Sequence, residues 1–319
     1  MVTSFGDRLA NAIREKNTPA CVGLDPLIER LPPPVLVEAG ITLDDRDAPT
    51  AEIDLGAAAD ALRSFGREVI RTVAPHVPAV KINIAFFERY YADGLRVYYE
   101  LIHEARELGL LVIGDVKRAD IGHSTVQYAK AQLRGLDRAD IAAPDAVTVN
   151  PYFGYDAIRP FVDVARQTGR GLFVLVQTSN ESAAQVQGLA LSDGSTVCQA
   201  VGELVQTWAT GEGLVGNSGY SSIGAVVSPR DLESTERIRA AMPNCLFLVP
   251  GFGAQGRTAD EVARCFKHDG TGAIVNASRS VIYAYQDERY RAGNGEDWRR
   301  CIEQGCRDFV SAVRKMVRA

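Results

Sequence analysis

Short apolar runs alternate along the chain with longer stretches in which apolar and polar residues recur at helical spacing. The runs are ACVGLDP (20–26), AVKINIAFF (79–87), LLVIGDVK (110–117), AVTVNPY (146–152), GLFVLVQTS (171–179), SIGAVVSP (222–229), CLFLVPGFG (245–253) and GAIVNASRS (272–280). Near-continuous hydrophobicity is what strands covered on both faces require, so these runs predict parallel strands. Between them lie amphipathic helix candidates, among them 57–73, 94–109, 156–169 and 258–266. Eight strands alternating with helices predict an α/β protein, a (β/α)8 TIM barrel. No linker interrupts the alternation, so residues 1–319 read as a single domain with surface insertions near 32–56 and 180–221. The first insertion carries PPP and the acidic LDDRDAPTAEID. The second carries a predicted helix near 196–210 and is a candidate lid, because loops on the C-terminal side of barrel strands carry function.

That fold puts the active site at the C-terminal ends of the strands. Polar residues there are Asp25, Lys81, Asn83, Asp115, Lys117, Asp120, Asn150, Thr178, Ser179, Gln255 and Arg279. In LLVIGDVKRADIGHST (110–125) an apolar strand ends in charge. Strand geometry puts Asp115 and Lys117 on one face, roughly 7 Å apart along the backbone. A lone Asp-x-Lys also fits a salt-bridged strand end. Lys81 tips the balance, because it sits among apolar neighbours and an unpaired buried charge is costly. Asp115 and Asp120 are its evident partners, and two lysines with two aspartates make a neutral array of the kind that lines functional pockets. The Gly-rich turn VPGFGAQG (249–256) and NASRS (276–280) follow strands seven and eight, a frequent phosphate site in barrels. There Arg279 offers a bidentate cation and Gln255 an amide.

Composition narrows the partners. The chain is 46% hydrophobic and 24% charged, ordinary for a globular protein, and its net charge of −5 argues against a general nucleic-acid or anionic-membrane surface. No apolar run approaches a membrane span, and MVTSFGDRLANAIREK lacks a signal peptide's apolar core. Six cysteines without a C-x-x-C pair imply reduced thiols and a cytoplasmic protein. None of the four histidines pairs with another His or Cys at metal-ligand spacing.

The segment Asp115-Val-Lys117-Arg-Ala-Asp120-Ile121 resembles the signature of orotidine 5′-phosphate decarboxylases. The similarity extends over nearly the whole chain: GLDP at 23–26, VKINIAFFE at 80–88, VNPYFG at 149–154, TS at 178–179, PGFGAQG at 250–256 and SRS at 278–280. The length and the AFFE and NPYFG segments are most similar to the longer bacterial branch of that family. The resemblance implies a reaction with no metal and no organic cofactor. Lys117 would protonate C6 of the pyrimidine as carbon dioxide leaves, Asp115 would sit beside the substrate carboxylate, and Lys81 would bridge Asp115 and Asp120. Asp120 and Ile121 would reach into the neighbouring subunit's site of a homodimer. Asp25 would hold a ribose hydroxyl, Ser179 or else Thr178 the pyrimidine, and Gln255 and Arg279 the 5′-phosphate. Ser278 stands where many relatives have glycine, and His123 reads as a residue facing solvent or the dimer contact. A metal-dependent sugar-phosphate decarboxylase or aldol-type synthase of the same superfamily would want an acidic ligand at the end of strand two, where this chain has Lys81.

Overall fold

The apolar runs pair in chain order into a closed barrel of parallel strands: β1 (Ala20–Leu24), β2 (Ala79–Asn83), β3 (Leu111–Arg118), β4 (Ala146–Val149), β5 (Gly171–Gln177), β6 (Ile223–Val227), β7 (Phe247–Val249) and β8 (Ala273–Ala277). The fold comes from a computed structural model that describes residues 2–42, 53–134, 142–252, 258–294 and 297–318. The main helices between the strands, such as Leu55–Val73, Tyr91–Glu107, Tyr155–Thr168 and Val197–Ala209, fall where the periodicity predicts them.

The two-residue period of each strand sorts its side chains into two cores. Val22, Val80, Val112, Val147, Val174, Val227, Val249 and Val275 pack outward beneath the helices. Cys21, Ala79, Ile113, Ala146, Phe173, Val226, Leu248 and Ile274 fill the barrel interior, together with Phe5 and Leu9 from the helix Phe5–Lys16. This helix closes the barrel at the strand starts. The rings of Phe5 and Phe173 meet edge to face at 5.8 Å, and a side chain on Gly171, which opens β5, would collide with Phe5. The opposite end of the barrel is left for the site.

Several apolar runs are longer than the strands they contain. The run 79–87 leaves the sheet after Asn83, and Ala85–Glu88 forms a helical turn that buries Phe87. Asn83 accepts the backbone N–H of Ala85 at 3.2 Å, which turns the chain inward at the barrel rim. Similarly, β8 stops at Ala277 and Arg279 opens the short helix Arg279–Ile282. The segment 180–221 contains the predicted helix, observed at Val197–Ala209, and a shorter helix, Ala184–Gln187. The six cysteines are free and buried. Among the described residues no helix is long and apolar enough to cross a membrane.

Candidate active site

Two residues beyond the apolar interior layer, the inward positions change character to Gly23, Lys81, Asp115, Thr148 and Asn276. Gly23 is required by crowding, since a Cβ there would lie 1.9 Å from the Ser278 hydroxyl. Lys81 and Asp115 are only 6% and 8% exposed. The Lys81 ammonium donates to Asp115 Oδ2 at 2.9 Å and stands 3.6 Å from Asp25 Oδ1. Lys117 donates to the other Asp115 oxygen at 2.6 Å, while its side chain remains half exposed. One buried carboxylate therefore holds two ammonium groups, and one of these opens to solvent.

Burial alone would push the Asp115 carboxyl up, but Lys81 and then Lys117 outweigh it and hold the group well below the usual carboxylate range. Burial would likewise depress Lys81, yet Asp115 and Asp25 hold it above the ordinary lysine value. Asp115 and Lys81 thus hold each other charged across the physiological range. Linkage fixes the sign of its pH dependence. A carboxyl whose folded pKa is depressed contributes stability above its unfolded value of 3.8 and loses it as pH falls below. The melting-temperature gap between wild type and Asp115→Asn should therefore be constant from about pH 5 to 8 and narrow below about pH 4. A gap unchanged down to about pH 3 would rule out the depressed carboxyl.

The local backbone of β3 aims these groups. Gly114 pairs with Val147 and Arg118 with Val149, so Asp115, Val116 and Lys117 bulge opposite the single residue Thr148. Bulges of this kind re-aim side chains beside active sites. Lys117 adopts the left-handed region, with φ +43°. The Thr148 hydroxyl accepts the N–H groups of Val116 and Lys117 at 3.0 and 2.9 Å and donates to Asp115 Oδ1 at 2.9 Å.

Comparison with known proteins matches this arrangement to a family. The model of the orotidine 5′-phosphate decarboxylase / HUMPS family matches residues 19–292, which include every member of the array. The chain belongs to this family. An orotidine 5′-phosphate decarboxylase of Rhodopirellula baltica is 38% identical over 94% of this chain and 95% of its own length. One from Caldicellulosiruptor saccharolyticus is also 38% identical, over 89% and 91%. Among solved structures, the OMP decarboxylase of Leishmania donovani is 25% identical, with a TM-score of 0.70 over 99% of this chain and 100% of that one. A Streptomyces avermitilis structure at 33% identity reaches a TM-score of 0.76, over 100% and 98%.

Not every residue expected at an orotidine 5′-phosphate decarboxylase site joins the array. The second carboxylate at Lys81 is Asp25 rather than Asp120 of the same chain. Asp120, half-buried beyond the end of β3, accepts the backbone N–H of Ile121 at 2.8 Å, and Ile121 is 57% exposed. At the end of β5, Thr178 is taken up by Gln187, whose amide oxygen accepts its N–H at 2.9 Å and whose NH2 donates to its hydroxyl at 2.7 Å. The half-buried Ser179 has no such contact among the described residues, which leaves its hydroxyl available. Arg279 is exposed and lines a cavity of about 460 Å3 with Arg30, Phe252, Ser280 and Tyr283. Gln255 lies outside the described residues. His123 is exposed in the first turn of the helix Gly122–Ala129. Glu88, the acidic residue nearest strand two in sequence, is ion-paired with Arg118.

Two residues at the site were not picked out from the sequence. Thr148 has the same strand parity as Asn150, so the alternation in AVTVNPY does carry a signal for it. Tyr283 has none: its hydroxyl accepts the Leu27 N–H at 2.8 Å and donates to the Asp25 carbonyl at 3.1 Å, fixing the GLDP turn from the β8 side.

Proposed function

We propose that the chain decarboxylates orotidine 5′-phosphate to uridine 5′-phosphate in de novo pyrimidine biosynthesis, with Lys117 as proton donor to C6. The observation that carries this reading is the geometry at Asp115: Lys81 and Thr148 fix a buried carboxylate that presents the half-exposed ammonium of Lys117 at 2.6 Å. Cleavage of the bond to the carboxylate leaves an electron pair on C6 and releases carbon dioxide. A preorganised ammonium beside that carbon stabilises the developing charge and then supplies the proton, so this chemistry needs neither a metal nor an organic cofactor. Asp115 lies next to the departing carboxylate in this reading and holds Lys117 in place. A metal-dependent reaction is disfavoured by the residues themselves, because Lys81 occupies the strand-two position and Glu88 is committed to Arg118.

Binding energy comes from the rim. Asp25, on a turn tied down by Tyr283, takes a ribose hydroxyl. Ser179, with Thr178 as the alternative, meets the pyrimidine, and Gln255 and Arg279 hold the 5′-phosphate. Arg279 is suited to this, since it is exposed and has no ion-pair partner among the described residues. Remote phosphate binding is then spent on ordering the reacting end of the substrate. The assembly is a homodimer in which Asp120 and Ile121 complete the neighbouring site. Its support is the exposure of Ile121, Tyr128, Tyr152 and Phe153, at 57%, 37%, 80% and 49%, on the segments that follow the neighbouring strands β3 and β4. Buried free thiols fit a reducing cytoplasm, and the acidic net charge of −5 fits a small-molecule substrate rather than nucleic acid.

Loss of the orotate ultraviolet band when purified protein meets orotidine 5′-phosphate is the direct test. A band that persists with folded protein defeats the assignment. Arg279→Ala should lower kcat/KM by about 2–4 kcal/mol, the scale of a charge-assisted bidentate contact. The discriminating control is orotidine lacking the phosphate. Equal slowing on both substrates would remove Arg279 from the phosphate site.

A further inference from the structure

We propose that Thr148 is a positioning residue for the decarboxylation, a role that rests on the reading above. Its hydroxyl is the peg that holds the Asp115–Val116–Lys117 bulge in its working shape. A hydroxyl has one proton and two lone pairs, and all three are used here. The N–H groups of Val116 and Lys117 occupy the lone pairs at 3.0 and 2.9 Å, and the proton goes to Asp115 Oδ1 at 2.9 Å. The bulge makes this necessary, because β3 advances from Gly114 to Arg118 while β4 advances only from Val147 to Val149, leaving the bulged amides without a strand partner. Thr148 is 1% exposed and paired with Phe173 of β5, so the peg is itself anchored in the sheet.

The peg has two consequences for Lys117. Its backbone sits at φ +43°, a conformation that is unfavourable for a non-glycine residue and persists only when the surroundings enforce it. The bond from the Lys117 N–H to Thr148 is such an enforcement. The same hydroxyl also fixes the Asp115 oxygen that the Lys117 ammonium grips at 2.6 Å. Both ends of the Lys117 residue, its amide and its ammonium, are therefore referenced to one oxygen atom. Thr148 acts through Asp115 and Lys117 and needs no contact with substrate.

Thr148→Val keeps the shape of the side chain and removes the hydroxyl. We expect kcat to fall roughly 10- to 100-fold, the effect of an ångström-scale misplacement of a reacting group. KM and the affinity for uridine 5′-phosphate should stay within about threefold, since phosphate and ribose are held from other strand ends. Thr148→Ser restores the hydroxyl and should keep kcat within about threefold of wild type. A merely structural role would lower melting temperature without this split between kcat and KM and without rescue by serine. Wild-type kcat in Thr148→Val, or equal slowing in the serine variant, overturns the proposal. Should the valine variant fail to fold, Thr148→Cys serves instead: it must be slow where serine is fast, and equal rates overturn the role. Wild type is assayed alongside. Absent turnover there defeats the decarboxylase reading itself, whereas active wild type with an equally active valine variant defeats only the role of Thr148.

Discussion

Lys117→Ala should bind uridine 5′-phosphate as wild type does and lose turnover by about 10²–10⁴-fold or more, the cost of a missing general acid. The structure makes this a clean substitution. The Lys117 side chain is half exposed, so its removal opens no core cavity. Alanine keeps the Cβ that the left-handed backbone already tolerates at φ +43°, so backbone strain is unchanged. Asp115 keeps its bonds to Lys81 and Thr148 at 2.9 Å each, and is not left as an unpaired buried charge. What disappears is the one ammonium of the array that solvent, and hence substrate, can reach. Single-turnover decarboxylation measured beside nucleotide binding separates chemistry from recognition. Residual turnover within about tenfold of wild type would mean that Lys117 is not the proton donor.

The contrast between Lys117 and Lys81 shows how far the sequence reaches. Both lysines are legible as site residues because they interrupt apolar runs, and a barrel strand buried on both faces does not tolerate such an interruption without a partner. Parity then separates the interior of the barrel from its outer face, and the fold follows. Partner choice is less legible. As letters, Asp115 and Asp120 of one motif are both candidate partners of Lys81, but Asp25 comes to Lys81 only because β1 and β2 are neighbours with Gly23 opposite Lys81. The bulge in β3 has no pattern of its own, since Asp115-Val-Lys117 reads as perfectly regular alternation. Thr148 is hidden for the same reason, as its role exists only once the bulge does. Apolar runs also overestimate strand length at AFFE, because Phe87 is buried equally well by a helical turn at the rim. Hydrophobicity records burial and not the backbone that achieves it.

The other large effect is a recovery. Asp120→Ala and Lys117→Ala should each be inactive alone, and mixed by co-expression or by unfolding and refolding together they should regain activity. The motivation is the position of Asp120. It lies beyond the array at Lys81, and its carboxylate accepts the N–H of Ile121, a residue 57% exposed. Tyr152 and Phe153, 80% and 49% exposed, follow the neighbouring strand β4 and are further apolar side chains that a two-fold partner could cover. If Asp120 serves the partner's site, a mixed dimer has one site carrying both lesions and one carrying neither. Random pairing makes about half the dimers mixed, so about a quarter of all sites become wild type. If Asp120 serves its own chain, every site keeps one lesion and nothing is recovered. Because both parents start from near zero, even a fraction of that quarter is readable, and size-exclusion chromatography establishes that dimers have formed. Confirmed mixed dimers that stay inactive would show that Asp120 does not complete the neighbouring site.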